Sequence, residues 1–304
     1  MGETKDVCGV ITDLQRFSMH DGPGIRTTIF LKGCPLHCLW CHNPETQQVL
    51  PQVQLHCNRC LLCGACAEVC LQGCHQMGER HLFDSSQCVG CLACTEACMP
   101  RALEVCGKEV TVEQVLREVE KDRAFYGSTG GMTLSGGEPM GQPDFALALL
   151  EGAKKQGVTT CIETCGAFPS RYLSRLSDVC DLFYYDVKDT DPERHRQNTG
   201  GSLSAILKNL SALSVLAPGR ITMRCIILRG INDNRQHLRR LLEIADQYHI
   251  QSLHLLPFHP MGSGKYAGVG RAAPQGFEKE RIPEHQVLEE MRRSVEAHFS
   301  RQRL

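Results

Sequence analysis

Three cysteines, Cys34, Cys38 and Cys41, stand three and two residues apart directly behind the apolar, β-branched run 27–32. Such a run reads as a strand, so the thiols fall on a loop at a strand's C-terminal end. Four cysteine thiolates complete a [4Fe-4S] cube. Three leave one iron open to a ligand that is not protein, and an open coordination position marks a catalytic site rather than a structural one.

Eight further cysteines follow a two-part template. Cys60, Cys63, Cys66 and Cys70 are repeated by Cys88, Cys91, Cys94 and Cys98, and the second run leads into Pro100. This is the bacterial ferredoxin motif, in which the fourth cysteine of each run ligates the other cluster. On that rule Cys60, Cys63, Cys66 and Cys98 hold one cube, and Cys88, Cys91, Cys94 and Cys70 hold the other. Leu71 departs from the pattern, standing where proline usually follows the fourth cysteine. A zinc site would favour histidines and two pairs separated by a longer gap. Cys57 and Cys74 flank the first run and are read as non-ligands. Cys8, Cys106, Cys161, Cys165, Cys180 and Cys225 fit no ligand spacing and are read as buried small hydrophobes.

The elements that must position these residues alternate. Strands are expected over 26–32, 131–134, 158–163, 182–187, 221–228 and 252–257, and helices over 111–121, 145–156, 170–177, 203–216, 233–248 and 284–299. Thr111 and Gln114 form a capping box at the first helix. Six βα units imply a parallel sheet with right-handed crossovers, too few for an eight-stranded barrel, with chemistry at the C-terminal strand ends.

The remaining motifs fall at those ends. Ser135-Gly136-Gly137-Glu138-Pro139 lets a ligand approach the backbone and offers an acceptor for an ammonium group. Glu163-Thr164-Cys165-Gly166 and Asp186-Val187-Lys188 close the next two strands. Taken alone, Asp186 and Lys188 would read as an ion pair. Arg224 can fork onto a carboxylate, and His259 in Leu256-Pro257-Phe258-His259 offers a stacking face.

The 304 residues, 42% of them hydrophobic, hold one barrel-sized domain plus an insert. The boundaries are 1–50 for the start of the barrel with its cluster loop, 51–107 for the insert and 108–304 for the rest. A formal net charge of −1 gives no case for a nucleic-acid or anionic-membrane partner. No apolar run of about 18 residues is present to span a membrane. With no N-terminal apolar core and cleavage site, the 19 cysteines are expected in a reducing cytosol, binding metal rather than forming disulfides.

The Cys34–Cys41 loop, with Trp40 ahead of its last cysteine, resembles that of the radical S-adenosylmethionine (radical SAM) superfamily. Two glycines around a proline in Asp21-Gly22-Pro23-Gly24-Ile25-Arg26 demand a tight turn, which Asp21 and Arg26 are placed to hold. The same string resembles a signature of glycyl-radical-enzyme activating enzymes, a subgroup of that superfamily. The turn, the three-cysteine loop, the double ferredoxin run, SGGEP, the Asp-x-Lys strand and LPFH follow one another in the family's order.

The resemblance implies an α/β fold, a partial (β/α)6 TIM-like barrel with an inserted bacterial-type 2×[4Fe-4S] ferredoxin domain. It implies three [4Fe-4S] clusters, and S-adenosylmethionine chelated at the open iron through its amino and carboxylate groups. Trp40, Cys41 and His42 would border that cofactor, Gly136, Gly137 and Glu138 would take its amino group, and Asp186 and Lys188 its ribose and carboxylate region. Glu163, Thr164, Arg224 and His259 would complete the contacts, and a monovalent cation is allowed between Asp186, Thr164 and the cofactor carboxylate.

The implied activity is reductive cleavage to a 5′-deoxyadenosyl radical, which takes hydrogen from a backbone glycine of a partner glycyl radical enzyme. A flavodoxin or ferredoxin would donate the electron, in the cytoplasm of an anaerobic organism. Isethionate sulfite-lyase is the first candidate partner. The others are choline trimethylamine-lyase, 4-hydroxyphenylacetate decarboxylase, hydroxyproline dehydratase, benzylsuccinate synthase and glycerol or propanediol dehydratase. Two alternatives stand beside this reading: a radical SAM enzyme acting directly on a small metabolite or peptide, and an electron-transfer iron–sulfur protein.

Overall fold

The computed structural model describes residues 7–277 and 279–302. The six expected strands form as β2 (Arg26–Leu31), β4 (Gly131–Gly136), β5 (Thr159–Thr164), β6 (Leu182–Asp186), β7 (Ile221–Ile227) and β8 (Leu253–Pro257). They lie parallel in chain order, as short right-handed βα units require. β2 and β4 are buried along nearly their whole length and show no in-and-out alternation of burial, with Arg26, Thr27, Thr28 and Thr133 buried among the apolar residues.

Two antiparallel strands, β1 (Cys8–Ser18) and β3 (Lys108–Thr111), extend the sheet beyond the six. The full order is β8-β7-β6-β5-β4-β2-β1-β3, so the sheet is mostly parallel with an antiparallel margin. The helices that cross between strands are α1 (Val112–Glu120), α2 (Pro143–Lys155), α3 (Leu173–Val179), α4 (Pro192–Thr199), α5 (Leu203–Leu216), α6 (Arg235–Gln247) and the closing α7 (His285–Gln302). Thr111 and Gln114 make the expected capping box on α1, and Pro143 and Pro192 open α2 and α4, where a missing N–H costs nothing. α2 buries Phe145, Leu147, Leu149 and Leu150 against the sheet.

Asp21 and Arg26 hold the turn between β1 and β2 through separate partners: Arg26 donates to Pro23 O at 3.3 Å, and Asp21 O accepts from the Thr133 hydroxyl at 2.7 Å. Arg26 is completely buried and donates to the carbonyls of Met132 (2.7 Å), Thr159 (3.1 Å) and Thr129 (3.2 Å) and to Thr133 Oγ1 (2.6 Å). The Asp21 carboxylate accepts from the Thr28 hydroxyl at 2.8 Å. Gly24, at φ +70°, lies where a Cβ would meet the Gly130 nitrogen at 2.6 Å, so the turn fits only with glycine there.

The cysteine-rich segment hangs on a two-stranded stem, Gln52–Leu55 against Leu103–Cys106. Within it the backbone repeats at the interval from Cys60 to Cys88. A 3-10 turn precedes each run (Cys57–Arg59, Ser85–Gln87), and a short helix carries each third cysteine (Ala65–Val69, Ala93–Glu96). Left-handed residues fall at matching places: Leu62 and Gly90, Gly64 and Leu92, Gly73 and Arg101. One member of each pair is glycine and the other is not, so the repeat lies in the backbone path more than in residue identity.

Candidate functional site

β2 ends at Leu31, and the loop behind it is fixed by backbone bonds on both sides. Gly33 N donates to Thr46 O (2.6 Å), Cys34 N to Gln47 O (3.1 Å), His37 N to Thr199 O (2.8 Å) and Leu39 N to Asn198 O (2.9 Å). Buried Lys32 donates to the carbonyls of Glu45 (2.8 Å) and Gln48 (3.1 Å), clamping the chain that leaves the loop. Gly262 packs beneath it, where a Cβ would meet His42 Cα at 2.8 Å. The three thiols are thus positioned by neighbours from three other parts of the chain, 45–48, 198–199 and Gly262.

Their environments differ. A hydrogen bond with the Cys165 thiol lowers the Cys34 thiol below its usual range against the pull of burial. Burial pushes Cys38 up to about 12, with Lys188 opposing, and also raises Cys41.

A cavity of about 190 Å³ is lined by Cys34, Cys38, Cys41, Trp40 and His42 on one side. Gly136, Gly137, Glu163, Thr164, Asp186 and Lys188 line the other. A Cβ on Gly137 would come within 2.3 Å of Gly33 O, so glycine is what lets the end of β4 lie against the cluster loop.

Glu138, Arg224 and His259 are not on that wall. Glu138 is fully buried and turned inward: its carboxylate accepts from Thr164 Oγ1 (2.9 and 2.8 Å), the backbone N–H groups of Cys165 (2.8 Å) and Met140 (3.1 Å), and the Cys165 thiol (3.1 Å). Glu138 thereby ties the end of β4 to the end of β5. Burial raises its carboxyl, and the donors oppose that shift.

Arg224 forks, but onto two carboxylates of its own chain. Nε donates to Asp186 at 2.8 Å and Nη1 bonds Glu163, whose other oxygen takes the Ser135 hydroxyl at 2.6 Å. Lys188 Nζ reaches Asp186 at 2.7 Å. Burial alone would raise the Asp186 carboxyl, but Arg224 and then Lys188 overrule it and hold it at about 2. His259 meets His42 edge-on, ring centroids 4.6 Å apart, beside Trp40 and Cys41. Burial, then Lys265 and His259, lower the His42 imidazole to about 4.

A larger space of about 550 Å³ shares His42, Asn43, Thr46, Ser135 and Glu163 with the first. Its far wall is β1 and the following turn (Asp13, Gln15, Ser18, Asp21), and Gln54 and Cys106 from the insert's stem close one side. Lys265 stands between the two parts, donating to Asn43 Oδ1 (2.8 Å) and Glu45 Oε1 (3.0 Å).

In the insert, buried Cys66 is raised by burial and then by Cys60, with Cys98 contributing, and Cys94 is pushed to about 11 by burial and then by Cys88 and Cys70. Cys60 and Cys98 around Cys66, and Cys88 and Cys70 around Cys94, are the groupings of the ferredoxin rule, with Cys66 of the other set a smaller contributor at Cys94. Cys63 and Cys91 lie at the surface. Cys57 is exposed, and Cys74 is buried beside Cys70 and Cys88. Of the six cysteines read as buried hydrophobes, Cys8 is exposed, because β1 turns it outward, and the other five are buried.

Sequence reasoning missed Cys165, which joins Cys34 to Glu138, and the pair His75 and His81 beside Cys60 and Cys66. The position of Cys165 directly behind Thr164 is the one signal that marks it.

The residues present fit an S-adenosylmethionine-chelating cube. Three thiols face a cavity with a lysine and a glycine cradle, and the buried Trp40 Nε1 at its edge has no hydrogen-bond partner among the described residues.

The family model described as the radical SAM superfamily matches residues 28–242. A choline trimethylamine-lyase activating enzyme of Oleidesulfovibrio alaskensis is 43% identical over 87% of this chain and 88% of its own length. An isethionate sulfite-lyase activating enzyme of Nitratidesulfovibrio vulgaris is 40% identical over 88% of this chain and 90% of its own. A radical SAM methyltransferase of Sphaerobacter thermophilus is similar in fold, with a TM-score of 0.50 at 13% identity over 90% of this chain and 64% of that one.

Proposed function

The chain belongs to the radical SAM superfamily and, within it, to the activating enzymes of glycyl radical enzymes, and from that premise we propose how its residues divide the work. Cys34, Cys38 and Cys41 hold the catalytic [4Fe-4S] cluster. With S-adenosylmethionine bound, the reduced cluster would supply the one electron that releases methionine and a 5′-deoxyadenosyl radical, which would take a hydrogen atom from a glycine of the partner.

Gly136 and Gly137 admit the cofactor's amino acid end to the backbone beside the thiols. Lys188 and Asp186 face its ribose and carboxylate, and Trp40, His42 and His259 flank its adenosine. Glu138 holds Thr164 and the third strand's end at the right distance. The resemblance allows a monovalent cation beside Asp186 and Thr164, yet Asp186 already faces two cations and the Thr164 hydroxyl is engaged by Glu138. We read Arg224 as the charge that balances Glu163 and Asp186, leaving no need for that ion.

The insert holds two further [4Fe-4S] clusters in the sets Cys60, Cys63, Cys66, Cys98 and Cys88, Cys91, Cys94, Cys70, and relays an electron from a flavodoxin or ferredoxin. Oxygen-labile clusters and a protein radical suit an anaerobic cytoplasm. No helix among the described residues is long and apolar enough to cross a membrane.

The observation that carries the reading is the pair of adjoining spaces: about 190 Å³ at the thiols and about 550 Å³ between β1, its turn and the insert's stem. The larger is sized and sited for a peptide loop that brings one glycine to the inner space, where closeness and exclusion of water guard the radical. Relatives at 43% and 40% identity carry the names of different lyases, so identity alone selects neither the isethionate enzyme nor the choline one. Incubating the reconstituted protein with each lyase and S-adenosylmethionine, and assaying lyase turnover, tests the reading. Turnover gained with one lyase supports it. Cofactor consumption tied to a changed small molecule, with no lyase present, would favour direct action on a metabolite.

A further inference from the structure

Two histidines stand against the insert's first cysteine run, and nothing above gives them work. His81 Nδ1 lies 3.5 Å from Cys60 Sγ, and its Nε2 lies 3.0 Å from His75 Nδ1 and 3.8 Å from Cys66 Sγ. Both rings are buried, and His75 stacks on Phe83 with centroids 5.0 Å apart. Cys66, His75 and His81 bring ligand atoms within 4.8 Å of one another, a grouping that by itself suggests a small metal-ion site. Two facts oppose that reading. The nitrogens of the two rings that face each other are at hydrogen-bond distance, so one lone pair is already engaged. Cys66 is also crowded by the thiols of Cys60 and Cys98, its partners in a cube.

We propose that His81 donates its Nδ1–H to the Cys60 thiolate of the first auxiliary cube, and so sets that cube at a higher reduction potential than the second. This rests on the ligand sets proposed above. A thiolate bound to iron has no proton to give, so the imidazole is the donor to this cube; Nδ1 has Cys60 Sγ at 3.5 Å as its partner, whereas Nε2 has His75 Nδ1 at 3.0 Å, closer than Cys66 Sγ at 3.8 Å. Nε2 then accepts from His75 Nδ1–H, and that second bond fixes the tautomer and holds the ring, as outer partners do around metal-bound side chains. An N–H aimed at a ligand sulfur stabilises the more electron-rich reduced cluster, which raises its potential.

The repeat makes the comparison internal. Each proposed cube receives backbone N–H groups at its crossing cysteine: Leu103 N to Cys98 Sγ at 3.3 Å, and Cys74 N to Cys70 Sγ at 3.4 Å, with the N–H groups of Gln72 and Gly73 also turned to Cys70. Among the described residues no histidine hydrogen bond reaches Cys70, Cys88, Cys91 or Cys94; the second set has instead the thiol of Cys74 beside Cys70 and Cys88, a weaker donor than the imidazole N–H that His81 offers the first. The first cube then takes an electron before the second when a low-potential one-electron donor is supplied.

The test is a potentiometric titration of the reconstituted full-length enzyme with titanium(III) citrate, followed by electron paramagnetic resonance, for the wild type, His81→Phe and His81→Asn. The phenyl ring keeps the volume without the donor, and the asparagine amide places an N–H near the position of Nδ1. In His81→Phe one auxiliary signal should move to lower potential by at least a tenfold change in its reduction equilibrium, about 59 mV for one electron. The other should stay, and His81→Asn should lie nearer the wild type. Unchanged potentials in His81→Phe at full iron content would overturn the proposal.

Wild-type iron well below about twelve per chain, or a missing auxiliary signal, would sink the ligand sets instead. If the phenyl ring costs the cube itself, wild-type enzyme labelled with 15N-histidine gives the answer. A nitrogen coupling on the higher-potential auxiliary signal supports the bond, and its absence overturns it.

Discussion

The Thr164 hydroxyl donates to both carboxylate oxygens of Glu138, at 2.8 and 2.9 Å, and so locks the end of β5 to the loop that leaves β4. We propose that a carboxylate spent this way acts on the cofactor through the backbone it holds. Glu138→Gln exchanges one acceptor for a donor facing other donors, and should cost about 1–3 kcal/mol of stability. S-adenosylmethionine affinity of the folded fraction should change less than about threefold. Thermal unfolding and equilibrium binding on the same preparation check this. A large loss of affinity at unchanged stability would return Glu138 to direct contact with the cofactor's ammonium.

Arg224 is the shared partner of Glu163 and Asp186. Arg224→Met leaves two buried carboxylates with Lys188 as the one facing cation, and should cost about 3–5 kcal/mol. It should also make cofactor binding respond to sodium or potassium, to which the wild type should be indifferent. A wild-type protein whose cofactor affinity rises severalfold with either ion would show that the guanidinium does not stand in for a cation.

Asp186 also gives a pH dependence. Its carboxyl is depressed from 3.8 to about 2, so the folded form binds its proton more weakly than the unfolded chain does. The stabilisation, about 2 kcal/mol, is complete above pH about 4 and is lost as pH falls through about 2. In denaturant titrations of the apoprotein, the gap between wild type and Asp186→Asn should be constant from pH 8 to 5 and shrink below pH about 4. A gap that does not narrow in acid would contradict the assignment.

Replacing Cys34, Cys38 and Cys41 together should lower iron from about twelve to about eight per chain and abolish cofactor cleavage. Replacing Cys60 or Cys88 should lower iron but leave some cleavage with a strong chemical reductant. Loss of all iron in both kinds of variant would mean that the clusters are needed for folding or are wrongly grouped.

Much of this was legible before any coordinates. The six parallel strands appear within a few residues of their expected bounds because each is an apolar run flanked by breakers, and α5 falls over the expected 203–216. The margin strands were harder. β1 mixes apolar residues with Asp13, Gln15 and Arg16, and its pairing with β3 joins residues about a hundred positions apart, which local pattern does not encode.

Direction was the other blind spot. Sequence places Glu138 and Arg224 at strand ends, yet only packing shows that one turns inward and the other bridges two carboxylates. His75 and His81 escaped because cysteine spacing identifies ligands, not the donors that stand behind them. Leu62, Leu92 and Arg101 take left-handed backbone that glycine would have signalled.

The central claim is that this chain places a radical on a glycine of another protein. The direct measurement is an anaerobic electron paramagnetic resonance spectrum of the reconstituted, reduced enzyme with S-adenosylmethionine and each candidate lyase in turn, beginning with the choline and isethionate enzymes. A glycyl-radical doublet that appears with one lyase, and is absent when that lyase's acceptor glycine is replaced by alanine, is the predicted result. 5′-Deoxyadenosine formed alongside a modified small molecule, with no doublet from any lyase, would contradict it.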